Sequence, residues 1–262
     1  MSNYKATRGA AWNYGGQQWK LSRSKIELYL NCPLCFYLDN KLGTKQPPGY
    51  PFTLNVAVDF LLKKEMDIHR VQGTRPEIAE GYGIAAVPFQ HADLDIWRAN
   101  FKGLAYTHPE TGFCITGAVD DVWVKPNGDL LVVDYKATSK AGKIERLDEP
   151  WHRGYKRQME IYQWLLRRKG FPVAEEGYFL YANADKSRPA FNARLDFELT
   201  LIAHRGEDGW IDDVLTAIKA CLESPLRPEA GKTCDVCTYA VQRQVLLDCG
   251  ILSSSTPEAL RL

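Results

Sequence analysis

The sequence predicts an α/β protein in which strands are flanked by helices. Helical patterns occupy residues 54–70 and 155–169, whereas apolar residues alternate with a period of two over 113–138 and form a short aromatic-rich run at 176–182. Helices before, between and after strands are typical of this class. The chain has 262 residues, of which 45% are hydrophobic, so a large core is expected. We therefore predict a single domain over 21–262, preceded by an arm, residues 1–20.

The elements follow in order along the chain. A short helix is predicted for residues 21–30, with Ser22 or Ser24 as N-cap, and the proline-rich residues 46–51 form a connector. Residues 71–100 show no clear period. In the helix over 54–70, we expect one face to enter the core, and this face comprises Val58, Leu61, Leu62 and Met66.

The second half of the chain is easier to assign. The helix over 155–169 is ended by Gly170 and Pro172, and strands are predicted at 176–182 and 194–201. An amphipathic helix is predicted for 210–222, with its core positions at Trp210, Val214, Leu215, Ile218 and Leu222.

The period-two region predicts a β-hairpin whose turn is Pro126-Asn127-Gly128. A three-residue loop with a left-handed last residue uses the preset φ of proline, and it places Asp120 opposite Asp134. Lys136 then falls on the same face, because side chains two residues apart in a strand point the same way. A two-residue Asn-Gly turn would instead place Asp121 opposite Asp134.

Two adjacent carboxylates repel each other unless a cation lies between them. Magnesium binds one or two protein carboxylates and keeps several waters, and a nearby ammonium group would complete what phosphodiester hydrolysis requires. The sequence therefore indicates a magnesium or manganese site at Asp120 and Asp134, with Lys136 beside it. The simpler interpretation is a strand-edge ion pair between Asp134 and Lys136 with a solvated Asp120.

Charge and cysteine content limit the functional classes. The chain has 33 Lys and Arg against 32 Asp and Glu, so a nucleic-acid partner would have to use a local basic surface. No apolar stretch approaches the length of a membrane helix, and the N-terminus does not resemble a secretory signal. We expect a cytoplasmic protein without membrane association, in which the seven cysteines are not disulfide-bonded.

A local basic surface is predicted directly after the second hairpin strand. Aromatic side chains alternate there with basic ones, which suits single-stranded nucleic acid or frayed duplex ends. A solvated helix entry with ordinary charges is the alternative. The residues are Lys136, Lys140, Lys143, Arg146, Arg153, Lys156 and Arg157, with the rings of Trp151, His152 and Tyr155.

Four motifs follow one another along the sequence. The first is an opening segment, Leu21-Ser22 to Tyr29 with Cys32-Pro33 and Phe36-Tyr37. The others are Gly117-Ala-Val-Asp120, Leu131-Val-Val-Asp134-Tyr135-Lys136 and Gln158-Met-Glu-Ile-Tyr162. In this order they resemble the PD-(D/E)XK nuclease superfamily, and within it the RecB-like and CRISPR-adaptation nucleases. The resemblance spans residues 21–162, is extended by the cysteine pair near residue 234, and implies a restriction-endonuclease-like mixed sheet flanked by helices.

The resemblance also implies roles for individual residues. Asp120, Asp134 and the Tyr135 carbonyl would bind the metal, and Lys136 would be the catalytic lysine. Gln158 and Tyr162, one helical turn apart, would position the site or the nucleic acid; an ordinary half-buried helix face is the alternative. Where family members often have a metal-binding histidine, this sequence has Asp59, either a replacement ligand or a solvated helix acid.

The cysteines depart from the family pattern as well. Two C-x-x-C pairs, Cys32/Cys35 and Cys234/Cys237, lie near opposite ends of the sequence, whereas the iron–sulfur members use one N-terminal and three C-terminal cysteines. Arg243 stands at the expected fourth position. A two-plus-two set would suit structural zinc or an iron–sulfur cluster, and either would join the two ends of the domain. The symmetric pairing favours zinc.

The leading hypothesis is a metal-dependent DNA nuclease acting on single strands or ends, in repair, recombination, or a phage or CRISPR-type pathway. It could work alone or with protein partners in a repair or defence complex. The alternative is a catalytically idle nucleic-acid-binding or scaffold subunit, although the joint presence of Asp120, Asp134 and Lys136 argues against it. A thioredoxin-like redox protein is disfavoured, because Pro33 and Phe36-Tyr37 do not fit that arrangement.

Overall fold

A computed structural model describes residues 6–49 and 51–249. Residues 1–5 of the predicted arm and 250–262 of the predicted domain lie outside the described residues. Within the described part, no helix combines the length and apolar character needed to cross a membrane.

The described chain contains helices and strands in alternation, after a short 3-10 helix at Ala10–Trp12. The helices are α1 (Arg23–Asn31), α2 (Pro33–Asn40), α3 (Thr53–Gln72), α4 (Glu77–Gly81), α5 (Leu94–Arg98), α6 (His152–Arg168), α7 (Ile211–Glu223) and α8 (Asp235–Asp248). The strands are β1 (Leu21–Ser22), β2 (Val87–Pro88), β3 (Leu104–Thr107), β4 (Cys114–Gly117), β5 (Asp121–Val124), β6 (Leu130–Thr138), β7 (Glu176–Ala184) and β8 (Phe197–Arg205).

The central sheet is mixed and has the strand order β2-β5-β6-β7-β8. Its β6 and β7 run parallel, and the other neighbours are antiparallel. A parallel pair needs a long crossover connection, and α6 supplies it between these two strands. A second sheet of three strands has the order β1-β4-β3. The predicted α/β class with a mixed sheet and flanking helices is therefore confirmed.

Strand β6 separates a core face from a polar face. Leu131, Val133 and Tyr135 belong to a buried cluster with Leu62 and Met66 of α3. Because side chains alternate along a strand, the residues between them point to the opposite face of the sheet. That opposite face carries the acidic and basic residues of the predicted site.

Several element predictions need correction. Leu61 is 62% exposed, and the buried stripe of α3 runs through Leu62, Met66 and Arg70 instead. Four-residue steps place all three on one side of the helix. Residues 21 and 22 form strand β1, paired parallel to β4, rather than a first helical turn. Helix α8 was not predicted.

Backbone contacts divide the chain into two compact units. Among the described residues, the first unit lies within 1–19, 24–48 and 216–262, and the second lies within 20–23 and 49–215. The predicted nuclease site belongs to the second unit and the four paired cysteines to the first. The expectation of a single domain over 21–262 stays a prediction.

Candidate active site and cysteine metal site

The hairpin has the predicted three-residue turn. Val122 pairs with Val132 and Val124 with Leu130, as expected for that loop. Gly128 has φ 90°, a left-handed conformation that glycine adopts without strain. The first run is not one continuous strand, however, because residues 118–120 separate β4 from β5. Asp120 therefore lies directly before β5, one step beyond the last ladder pair.

Asp134 is the buried centre of the site, with no solvent exposure. Its Oδ1 accepts a hydrogen bond of 2.8 Å from Nε2 of Gln158, and its Oδ2 faces Nζ of Lys136 in an ion pair. Asp120 accepts a 2.9 Å hydrogen bond from the backbone N–H of Tyr135, which follows Asp134 in the chain. The two predicted acids and the lysine are thus brought together.

Burial and the neighbouring charges shift the pKa values of Asp134 and Lys136. Burial raises the pKa of Asp134 to about 6, against the lowering influence of the Lys136 ammonium. For Lys136, burial by itself would lower the pKa, but the carboxylates of Asp134 and Asp120 outweigh it, and the pKa is raised. Lys136 therefore carries its positive charge at neutral pH.

Helix α6 contacts Asp134 through Gln158, which is also hydrogen-bonded to Tyr162 of the same helix. Nε2 of Gln158 also donates to Oη of Tyr162 at 3.1 Å, so one amide group links the helix to the carboxylate. Gly117 permits this approach, because a Cβ atom there would lie 2.7 Å from Cε1 of Tyr162. The glycine before Asp120 in the sequence motif therefore has a packing role beside the site.

Asp59 lies in α3, and its nearest charged partner is a lysine that the sequence interpretation overlooked. Nζ of Lys63 is 2.9 Å from Oδ2 of Asp59 and 3.5 Å from Oδ1 of Asp120. Burial raises the pKa of Asp59, with Asp120 adding to the shift and Lys63 opposing it. An ammonium group therefore bridges the two carboxylates, and the assignment of Asp59 as a metal ligand stays a prediction.

Asp121 has a different environment from Asp120. It is fully buried and pairs with Arg70 and with Nη2 of Arg98, the latter at 2.9 Å. Oη of Tyr135 donates to Oδ2 of Asp121 at 2.7 Å. The alternative register, which would have placed Asp121 opposite Asp134, is excluded. The two arginines were missed because they come from the C-terminal part of α3 and from the segment without a readable period.

Most residues of the predicted basic and aromatic surface line one of three cavities, whereas Arg153 and Arg157 line none of these three. One of about 90 Å³ adjoins Lys136, and its lining includes Lys140, Trp151, His152 and Tyr155. In it, Nζ of Lys136 lies 4.6 Å from the ring centre of Tyr155, and Nζ of Lys140 lies 5.1 Å from that of Trp151. Lys143 lines a second cavity, and Arg146 and Lys156 line a third.

The four paired cysteines converge in the first unit. Sγ of Cys35 is 3.4 Å from that of Cys237 and 3.7 Å from that of Cys234, and the Cys32–Cys237 distance is 3.7 Å. Cys32 and Cys234 stand at the N-caps of α2 and α8.

Backbone donors also reach this cysteine group. The N–H groups of Gly231 and Cys35 donate to Sγ of Cys32 at 3.2 and 3.4 Å. Burial opposes ionisation of Cys32, but these bonds outweigh it and lower its pKa to about 7. In the described part of the chain, these cysteines are the one group of at least three possible metal-binding residues whose ligand atoms all lie within 4.8 Å of one another. The predicted cysteine metal site is thus supported by its geometry.

Comparison with known families agrees with this geometry. Residues 60–242 match the sequence model of the PD-(D/E)XK nuclease superfamily. This range contains the hairpin, helix α6 and the second cysteine pair. A comparison with curated proteins found no match.

Proposed function

This chain belongs to the PD-(D/E)XK nuclease superfamily, and we propose that it is a metal-dependent deoxyribonuclease that hydrolyses phosphodiester bonds in single-stranded or end-containing DNA. Superfamily membership implies nuclease chemistry and a nucleic-acid substrate. The proposal of metal-dependent hydrolysis is supported by the proximity of Asp120, Asp134 and Lys136, with Gln158 hydrogen-bonded to Asp134.

The residues present fit a divalent ion. Asp134 Oδ2 is buried and faces the Lys136 ammonium, and a carboxylate oxygen has a further lone pair with which it could also bind a cation. We propose Asp120, Asp134 and the Tyr135 carbonyl as the ligands, since hard divalent ions prefer oxygen donors. Bound there, magnesium or manganese would supply Lewis acidity and lower the pKa of a coordinated water.

The protein's own side chains would prepare the site. Lys136 would stabilise the negative charge that develops on the phosphate, and its raised pKa keeps it protonated for that role. Gln158 would fix the orientation of Asp134 through the 2.8 Å hydrogen bond, and Tyr162 would hold Gln158 in turn. These two are positioning residues in the proposal.

The cavity beside Lys136 supports a substrate with unpaired bases. Trp151 is 56% exposed, so its ring is available for stacking, and the Lys140 ammonium lies over the same ring. Stacking on an aromatic side chain is tolerant of base identity and requires an unpaired base. Single strands and frayed ends meet this requirement, and we propose them as the substrate.

A nuclease assay with labelled single-stranded, tailed and duplex DNA, with magnesium or manganese, tests the proposal. Lys136→Ala should lower the cleavage rate by at least about 100-fold, as for loss of one charge-stabilising group. The matched control is Lys125→Ala, an exposed lysine at the tip of the same hairpin, and it should cleave at the wild-type rate. A wild-type protein inert on DNA and RNA with both metals would favour the idle nucleic-acid-binding module.

For the cysteine site we propose structural zinc. Four sulfurs at 2.3 Å from one tetrahedral ion are about 3.8 Å apart. Three of the six sulfur pairs are 3.4 to 3.7 Å apart, and all four sulfurs lie within 4.8 Å of one another. An iron–sulfur cluster distributes its cysteines over several irons and needs a wider spacing. Such thiolate-rich sites persist in reducing compartments, which supports a cytoplasmic location.

Elemental analysis and a visible spectrum of protein purified without oxygen separate the two metals. We expect one zinc per chain and no absorption in the visible range. Stoichiometric iron with a brown chromophore would show that the cluster is the native group and refute the zinc assignment. Anaerobic handling is the control for oxidative loss of iron.

A further inference from the structure

Lys63 lies between two carboxylates, those of Asp59 and Asp120, beside the proposed metal site. It lies in α3, one turn after Asp59. Its Nζ is 2.9 Å from Oδ2 of Asp59 and 3.5 Å from Oδ1 of Asp120. All three side chains are partly shielded, with exposed fractions of 22% for Lys63, 34% for Asp59 and 22% for Asp120. The lysine therefore shares its charge between two carboxylates in a partly desolvated setting.

We propose that Lys63 is a positioning residue whose ammonium group occupies the place between Asp59 and Asp120 that a divalent ion could otherwise take. The inference rests on the proposed function, because it concerns metal binding at the same site. With Lys63 in place, the site accepts one ion at Asp120 and Asp134, and Asp59 is not a ligand. Coordination by Asp59 requires that Lys63 first be displaced.

Charge and geometry support this assignment. Asp120 already uses Oδ2 for the Tyr135 N–H, and Oδ1 is the atom that faces Lys63. A divalent ion that approaches Asp120 from the side of α3 therefore meets a positive charge at the oxygen it would bind. Lys136 already neutralises Asp134 from the other side. Removal of Lys63 would leave Asp59 and Asp120 without their shared cation, and the divalent ion would then be the group that relieves their repulsion.

The expected effect can be estimated from the repulsion between the two cations. An ammonium group a few ångströms from a divalent ion, in a site open in part to water, weakens metal binding by about tenfold to 100-fold in Kd. Lys63→Met keeps the length and apolar stem of the side chain and removes its charge. Lys63→Arg keeps the charge and changes the shape of the head group.

The test is calorimetric titration of manganese chloride into the full chain, with the number of bound ions checked by electron paramagnetic resonance. Lys63→Met should bind manganese at least about tenfold more tightly than wild type, whereas Lys63→Arg should remain near wild type. The matched control is Lys64→Met, since Lys64 is the exposed next residue and lies over the Phe60 ring at 4.7 Å. Its affinity should equal that of wild type.

Each remaining outcome overturns the inference. If wild type binds manganese and Lys63→Met binds it equally or more weakly, Lys63 does not hold the metal's place, and the proposed nuclease function is unaffected. If Lys63→Met is misfolded, the test uses Lys63→Arg, which keeps the positive charge. A manganese affinity of Lys63→Arg clearly above or below that of wild type would contradict the inference that the charge at residue 63 sets this affinity. If no variant binds manganese, the inference and the proposed metal-dependent function fail together.

Discussion

Asp120 and Asp121 are neighbours in sequence, and the structure predicts opposite consequences for their removal. Asp121 is fully buried, and its carboxylate contacts Arg70, Arg98 and the Tyr135 hydroxyl. Asp120 is partly exposed and accepts one backbone hydrogen bond. Asp121→Ala should therefore lower the free energy of unfolding. Asp120→Ala should instead remove metal binding and activity, with little effect on folding.

The magnitude follows from the two buried arginines. Removing one partner of a buried ion pair costs about 3–5 kcal/mol in the free energy of unfolding, because the remaining charge is left uncompensated. Asp67 still contacts both Arg70 and Arg98, which limits the loss to this range. At about 2–4 °C per kcal/mol for a protein of this size, the melting temperature of Asp121→Ala should fall by about 6–20 °C. Asp120→Ala should change the free energy of unfolding by less than about 1 kcal/mol.

Scanning calorimetry of wild type and both variants at pH 7, without added divalent ions, measures the melting temperatures. Titration of manganese into the same samples, at a temperature where all of them are folded, measures the metal affinity of the site. Melting temperatures of the two variants that agree within about 2 °C would refute the reasoning. So would normal manganese binding by Asp120→Ala together with its loss in Asp121→Ala, since this is the pattern of the rejected hairpin register.

Three further outcomes are expected. Because the pKa of Asp134 is raised to about 6, protons should compete with the metal for this carboxylate. The manganese affinity measured by calorimetry should therefore fall as the pH is lowered through 6 and be constant well above it. An affinity that does not change from pH 5 to 8 would contradict this. Gly117→Ala forces a methyl group to 2.7 Å from the Tyr162 ring and should cost about 1–3 kcal/mol in thermal unfolding, whereas Gly209→Ala, which meets nothing within 4 Å, should not. Cys237→Ser should abolish stoichiometric zinc in elemental analysis, and Cys249→Ser, an exposed cysteine outside the group, should retain it.

The hairpin was predictable because its turn chemistry is local. Proline in the first loop position and glycine in the third define the loop, and the loop length alone fixes which residues of the two strands face each other. The C-x-x-C pairs were predictable for a similar reason, since residues three apart at the start of a helix lie on one side of it. Both features depend on only a few consecutive residues.

The surroundings of the acids were not predictable in this way. Lys63 of α3 reaches Asp120, whereas Arg70 of α3 and Arg98 of α5 reach Asp121. These positions depend on how the two helices pack on the sheet. Arg70 occupies a core position that periodicity reserves for an apolar residue, and the buried charge of Asp121 explains it. Leu61 was misassigned because two adjacent apolar residues fit a helical stripe equally well until the packing partner is known.

The cysteine site has a consequence for synthesis of the chain on the ribosome. Its ligands come from two stretches of sequence separated by about 200 residues, and every residue of the other compact unit, 20–23 and 49–215, is translated before Cys234. The second unit can thus begin folding while the nascent chain is still growing. Cys32 and Cys35, by contrast, can meet Cys234 and Cys237 only after these have been translated. Metal binding at this proposed site would accordingly be a late step in the folding of the chain.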